Sequence, residues 1–269
     1  MINKFKKVYI LCKSGKTFAL LYILLRKMGF KRFLPPLPLS LIIESTNLCN
    51  LRCPGCPTTS GRMNRPRRMM RLTEFKAIID QVRGYVQHIL LYWCGEPFLN
   101  KELLDMIKYA VSAGIVVGIS THGGSLKSRE FCLAVVKSGL QQLTIALDGA
   151  DQKTHSKFRK DSKFNDVLKG FKFINEAKKE LGSQTPEVCL QLIVMKHNES
   201  QRNHMKKLVV ELECDRYNEK TIHLGYDDLE FQENIKEFLP KDLSLSRYYR
   251  KEDGTFMLKG KVSNGWPYA

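Results

Sequence analysis

The sequence predicts an α/β fold, a partial (βα)6 TIM-type barrel of parallel strands with helices outside. Three observations carry that prediction. Strand-length apolar runs alternate with segments of helical periodicity six times between residues 38 and 226. βα units in series impose parallel pairing with right-handed crossovers. The chemically unusual residues stand just after the strands, at the rim where parallel barrels and open α/β sheets build their sites.

Residues 39–44 are apolar and β-branched and read as the first strand. Thr73 is placed to cap a helix in which Phe75, Ile78, Ile79 and Val82 recur at helical spacing. Residues 88–93 form the second strand, an apolar run suited to coverage on both faces. A helix over 101–113 follows, with Gly114 as its stop. The third strand is 115–120, followed by a helix over 128–138 and Gly139. The fourth is 142–147, ended by Asp148-Gly149. After a basic, polar connection come a helix over 165–181 closed by Gly182, a fifth strand at 188–195, a helix over 199–212 and a short sixth strand at 221–224. Beyond about residue 226 the pattern weakens.

Three segments result: a basic N-terminal segment with an amphipathic helix (1–37), a core domain (38–226) and a C-terminal tail (227–269). A chain of 269 residues with 43% hydrophobic content buries a sizeable core, which excludes bulk disorder. The apolar stretch 18–25 is too short to span a bilayer, and no small-residue cleavage site follows it. Residues 15–29 therefore read as an amphipathic or buried helix, with peripheral contact to an anionic membrane left open.

The 44 basic and 27 acidic residues give a net charge of +17, and the excess is clustered. No acid precedes Glu44. A second knot holds Arg62, Arg65, Arg67, Arg68 and Arg71, and arginine clusters suit bidentate recognition of carboxylate or phosphate. Each patch reads equally as a solvated surface. An acidic peptide or a phosphate-bearing substrate fits this charge, and nucleic acid is not excluded. Eight cysteines without a disulfide-framework spacing indicate a reducing, cytoplasmic setting.

The sharpest motif is Cys49-x3-Cys53-x2-Cys56, directly after the first strand. Structural zinc takes four protein ligands, and an ordinary electron-transfer [4Fe–4S] cluster takes four thiolates. Three thiolates on a four-iron cluster leave one iron open for chemistry. Zinc with a distant fourth ligand is the competing reading, and Cys94 at the end of the second strand is the candidate. Gly95-Glu96-Pro97 follows that strand, Thr121-His122-Gly123 the third and Asp148-Gly149 the fourth. Cys132 and Cys189 fall inside helix and strand patterns as packing residues.

With these motifs the chain resembles the radical S-adenosylmethionine (radical SAM) superfamily over about residues 38–225. It is most similar to SPASM-type members, but no cysteine follows Cys214, so the cysteine-rich C-terminal extension of those members is missing and residues 227–269 read as a tail or its truncated start. The resemblance implies a [4Fe–4S] cluster on Cys49, Cys53 and Cys56, with SAM chelated at the open iron. It implies reductive cleavage of SAM to a 5′-deoxyadenosyl radical, which modifies a substrate, with peptide or protein favoured. Gly95, Glu96 and Pro97 would then bind the SAM amino group. Thr121 would match a Thr-Asn-Gly motif, Asp148 would lie near the ribose, Arg159 would hold the carboxylate and Val194 would lie beside the adenine. An external one-electron reductant, flavodoxin- or ferredoxin-like, is implied as a partner. Cys94 and His122 depart from the family's usual Gly and Asn. The alternative from another class is a basic metal- or cluster-binding protein that contacts RNA or membrane without catalysis.

Overall fold

The structure is a computed structural model that describes residues 21–22, 24–25, 28–29, 37–59, 63–223 and 229–259. Most of the expected helix over 15–29 lies outside the described residues, as do Cys12, Arg62 and the end of the chain. Within that stretch Tyr22 is buried and its hydroxyl accepts the Leu37 N–H at 2.8 Å. Among the described residues no helix is long and apolar enough to cross a membrane.

Six parallel strands form one sheet in chain order: β1 Ser40–Ile42, β2 His88–Leu90, β3 Val116–Thr121, β4 Gln142–Ala146, β5 Glu187–Val194 and β6 Arg216–Thr221. The connecting helices are α1 Leu72–Val82, α2 Leu103–Ser112, α3 Arg129–Lys137, the pair α4 Gln152–Phe158 and α5 Phe164–Glu180, and α6 Arg202–Glu211. The order 1-2-3-4-5-6 is that of an open, partial barrel, as the series of βα units requires.

One core holds the helices against the outer face of the sheet. Val117 and Ile119 of β3, Leu143 and Ile145 of β4, and Val188, Leu190, Leu192 and Val194 of β5 pack there against Phe75, Ile79, Met106, Ile107, Val135, Phe171 and Ile174. Strand periodicity of two puts these alternate residues on one face, and the helical spacing supplies the opposing stripe.

Several elements differ from the sequence reading. Thr73 lies inside the first turn of α1, and the carboxylate of Glu74 instead takes the free Arg71 N–H at 2.8 Å. β2 is shorter than expected, and β6 lies at 216–221 rather than 221–224. The connection after β4 contains α4, capped by Asp151, whose carboxylate accepts the Thr154 N–H at 2.8 Å. Past residue 228 the chain forms α7 Leu229–Phe238 and an antiparallel hairpin, β7 Tyr248–Arg250 with β8 Phe256–Leu258. Ile235, Phe238, Leu239 and Tyr248 from this segment form a second core with Leu51, Cys53, Phe158, Met195 and Ile222. The C-terminal segment therefore packs directly onto the cysteine loop.

Candidate cluster and cofactor site

The cysteine loop leaves β1 braced on one side by the arginine knot. Thr46 and Met69 form an antiparallel bridge. Asn47 accepts the Arg68 N–H at 2.8 Å and donates its amide to Pro66 O at 2.9 Å, while the Met70 N–H reaches Ser45 O at 2.9 Å. Arg67 donates to Thr58 O at 2.9 Å. Arg65 pairs bidentately with Glu44, whose Oε1 also accepts the Cys94 N–H at 3.0 Å. On the other side Arg52 grips Asp161 with two hydrogen bonds, 2.6 and 3.0 Å long. The described arginines of the knot are thus engaged within the fold. Exposed pairs of this kind contribute little to stability, being screened by solvent. Their effect is to fix the loop's path.

The three thiols face a common apolar setting. Cys53 is buried, and Cys49 and Cys56 pack partly buried against the same second core. The Leu51 N–H points at Cys49 Sγ at 3.4 Å, and Arg159 Nη1 lies 4.0 Å from Cys53 Sγ. Burial pushes the Cys49 thiol up to about 11, opposed by the Leu51 N–H and reinforced by Glu96, Cys53 and Cys56. Burial likewise raises Cys53, with the Arg159 charge opposing it. Cys49 feels the charge of Cys53 and Cys56, and Cys53 that of Cys56, so a multivalent metal group is what would ionise thiols held this close. Among the described residues no group of three His, Cys, Asp or Glu side chains is gathered to hold a single metal ion. Three soft sulfur donors in an apolar pocket, two of them facing N–H groups, fit an iron–sulfur cluster.

The loop after β2 closes onto this one. Gly95 has φ +79°, and a Cβ there would lie 2.6 Å from Thr46 O and 2.7 Å from Leu48 O, so only glycine permits the approach. The Glu96 N–H donates to Leu48 O at 2.7 Å. Pro97, buried, opens a short 3-10 turn where its missing N–H costs nothing.

Glu96 is 1% exposed. Its carboxylate accepts the Thr121 hydroxyl at 2.7 Å, the His122 N–H at 3.0 Å and the Phe98 N–H at 3.3 Å. The nearest side-chain cation would be His122, with Nε2 at 3.4 Å. That ring is neutral, however. Its Nδ1 accepts the Gly124 N–H at 3.1 Å, which assigns the proton to Nε2, shared with Asn50 Oδ1 at 2.9 Å. Burial lowers its pKa, and the Glu96 charge only partly offsets that. Glu96 is therefore a buried carboxylate, satisfied in hydrogen bonds and lacking a cation among the described residues. A primary ammonium group complements it.

Asp148 follows β4 and is fully buried. One oxygen accepts the Ile193 N–H at 2.7 Å and the other accepts Arg159 Nε at 2.6 Å. The Asp148 N–H donates to His155 Nδ1 at 3.2 Å, and Asn198 donates to Asp148 O at 3.2 Å. Burial opposes the Arg159 charge, but Asp148 and the Cys53 sulfur outweigh it and raise its pKa. Asp148 thus aims Arg159 at the cysteine loop. Val194 packs in the outer core, whereas Met195 joins the residues around Cys53.

The structure brings Gly95, Glu96, Pro97 and Thr121 together with the cysteine loop, and Asp148 with Arg159 beside Cys53. Sequence reasoning missed Asn50, Thr58, His155 and Asn198, which act as hydrogen-bonding props. Thr58 accepts the Gly95 N–H at 3.3 Å, and nothing in the local sequence marks it for that task. Cys94 stays apart from the trio's apolar core. Burial pushes its thiol up to about 11, with Glu44 and Cys56 adding and Arg65 and Thr58 opposing.

A family model described as Radical SAM superfamily matches residues 43–209. An AdoMet-dependent heme synthase of Methanosarcina barkeri is 30% identical over 135 residues, 50% of this chain and 38% of that protein. A PqqA peptide cyclase of Bradyrhizobium diazoefficiens is 22% identical over 179 residues, 66% of this chain and 44% of that protein. The chain thus spans less than half the length of these curated relatives. Among solved structures, Streptococcus suis SuiB bound to S-adenosylmethionine superimposes with a TM-score of 0.58 at 19% identity, covering 71% of this chain and 44% of that one. This last likeness is one of fold.

Proposed function

The chain belongs to the radical SAM superfamily, whose members use a [4Fe–4S] cluster and SAM, and from that premise we propose that it cleaves SAM reductively to modify a peptide or protein substrate. In this reading Cys49, Cys53 and Cys56 hold the cluster, and an external one-electron reductant reduces it. When bound, cluster and SAM supply the 5′-deoxyadenosyl radical that abstracts hydrogen from the substrate.

The observation that carries the reading is Glu96. A carboxylate 1% exposed, held by Thr121 and the His122 N–H and lacking a cation among the described residues, stands on the rim that bears the three thiols. The SAM ammonium group answers that charge. Arg159 supplies the matching cation for the SAM carboxylate, and Asp148 fixes its direction. Gly95 lets the two loops close. The core formed by Phe158, Met195, Phe238 and Tyr248 keeps water from the sulfurs. The peptide preference rests on relatives named for peptide substrates, such as the PqqA peptide cyclase. Heme synthesis and GTP cyclisation among other relatives define the competing classes.

The test is anaerobic reconstitution with iron and sulfide, then dithionite and SAM, with 5′-deoxyadenosine read by chromatography. Release of 5′-deoxyadenosine is expected, and Cys53→Ala should lose both the brown colour and the release. A fully loaded cluster that leaves SAM intact overturns the reading. A Cys53→Ala protein that keeps a full cluster overturns the ligand assignment.

A further inference from the structure

One residue touches both halves of the site, the carboxylate and the cysteine loop. It stands in the turn after β3, which is anchored from behind. Gly123 has φ +82°, and a Cβ there would lie 2.7 Å from Val167 Cγ1 and 2.8 Å from Ile145 Cγ2, so this backbone rests directly on the outer core. In front, Thr121 Oγ1 accepts the Gly123 N–H at 3.0 Å and donates to Glu96 Oε1 at 2.7 Å. The His122 N–H donates to Glu96 Oε2 at 3.0 Å. The turn therefore fixes both oxygens of the carboxylate.

The His122 ring reaches the other way. It is buried, with Nδ1 accepting the Gly124 N–H at 3.1 Å and Nε2 donating to Asn50 Oδ1 at 2.9 Å. Asn50 lies between Cys49 and Cys53. Among the described residues this is the only hydrogen bond from residues 121–124 to residues 49–56. The two partners depend on it unequally. Asn50 is exposed, so water can replace His122 as its donor. The buried Nε2 proton has no such substitute, and an unpaired buried donor is costly. Its remaining acceptor is Glu96 Oε2, 3.4 Å away. That is the oxygen face an incoming ammonium group needs.

We propose that His122 is a positioning residue that latches the cysteine loop to the Glu96 carboxylate: its backbone N–H holds Glu96, its Nε2–H holds Asn50, and the Asn50 bond keeps that proton off the carboxylate. An asparagine at this place ends near the position of Nδ1, so it keeps the first bond and falls short of the second. The latch is a property of this chain's imidazole. It rests on the radical SAM reading in taking the ammonium group to be that of SAM and the loop to carry the cluster.

The test is a double-mutant cycle on the reconstituted full chain, with Asn50→Ala and His122→Asn. It is read without SAM as the rate at which a chelator strips iron, and separately as SAM affinity by equilibrium dialysis. Each single change should speed iron loss about fivefold, the loss of one neutral hydrogen bond, and the double change should go no further. His122→Gln, whose amide extends far enough to donate to Asn50, should stay within about twofold of the unaltered chain. Asn50→Ala should also weaken SAM binding about fivefold, because the freed proton turns to Glu96. Its urea midpoint should not move, which separates a latch from general loosening. Additive effects in the cycle, iron loss at the unaltered rate, unchanged SAM affinity in Asn50→Ala, or a midpoint that falls with the iron overturn the proposal. If the unaltered chain binds no SAM, the iron pattern alone decides the latch and the SAM reading falls separately.

Discussion

The two faces of the parallel sheet follow opposite rules. Outward-facing residues of β3 to β5, such as Val117, Leu143 and Leu190, have no exposed surface and pack against the helices. Inward-facing residues of the same strands, such as Ser120, Thr144 and Gln191, are polar. One face holds the fold together; the other carries polar side chains that the core does not use. Strand alternation lets a single run of sequence serve both purposes. The comparison also locates an exception. Asp148, just past β4, is acidic and fully buried, and it serves the rim rather than either face.

That exception is the place to break the comparison with the largest effect. Asp148→Ala would strand the buried Arg159 guanidinium and free the Ile193 N–H. Removing one partner of a buried pair costs about 3–5 kcal/mol. Urea unfolding should show a loss of that order, and anaerobic reconstitution should retain less iron, since Arg159 would no longer be aimed at Cys53. A variant of unchanged stability and iron content would make Asp148 an ordinary polar residue.

Next in size, Leu143→Ala on the outer face should cost about 2–5 kcal/mol, the usual range for a cavity in a packed core. Denaturation midpoints measure it directly. A loss under about 1 kcal/mol would mean that the outer face is not the stabilising one.

A pH dependence sharpens the buried-polar class to which Asp148 belongs. His155 is fully buried, its Nδ1 accepting the Asp148 N–H and its Nε2 bonded to Ser162 Oγ at 2.9 Å. Burial lowers its pKa to about 4, partly opposed by Asp148. The unfolded chain, titrating near 6.5, then binds more protons than the folded one between about pH 6.5 and 4. Stability therefore falls as pH drops through that window, by up to about 3 kcal/mol. His155→Gln should flatten this slope. An unchanged slope would place the titrating groups elsewhere.

How much of this was legible follows from the same two faces. β1 to β5 announce themselves because their outward residues are consistently apolar, and the glycines at 114, 139 and 182 mark where helices end. β6 does not, because Tyr217 is its only apolar residue facing the outer core, so the apolar Ile222 drew the reading downstream. α4 is seven residues long with only His155 and Phe158 buried, too little for a periodic signal. In the candidate site, the cysteines and Glu96 stood out in the sequence because the chemistry proposed for them demands those residue types. The role of the arginine knot was left open, since sequence shows a charge and not the carbonyl or carboxylate that meets it. Props such as Thr58 and Asn198 act across distances that sequence spacing does not encode.

The smallest effect tests the comparison at its centre. Thr144 lies between Leu143 and Ile145, so its neighbours face the helices while it faces the inner side of the sheet. Thr144→Val keeps the shape and the β-branching and removes only the hydroxyl. If the inner face is solvated, that hydroxyl exchanges one water for another on folding, and its loss should change stability by no more than about 0.5 kcal/mol. Paired denaturation curves for Thr144→Val and Leu143→Ala decide the matter. Adjacent residues separated by several kilocalories confirm that the strand divides its labour by face, and equal losses would show an inner face packed as tightly as the core.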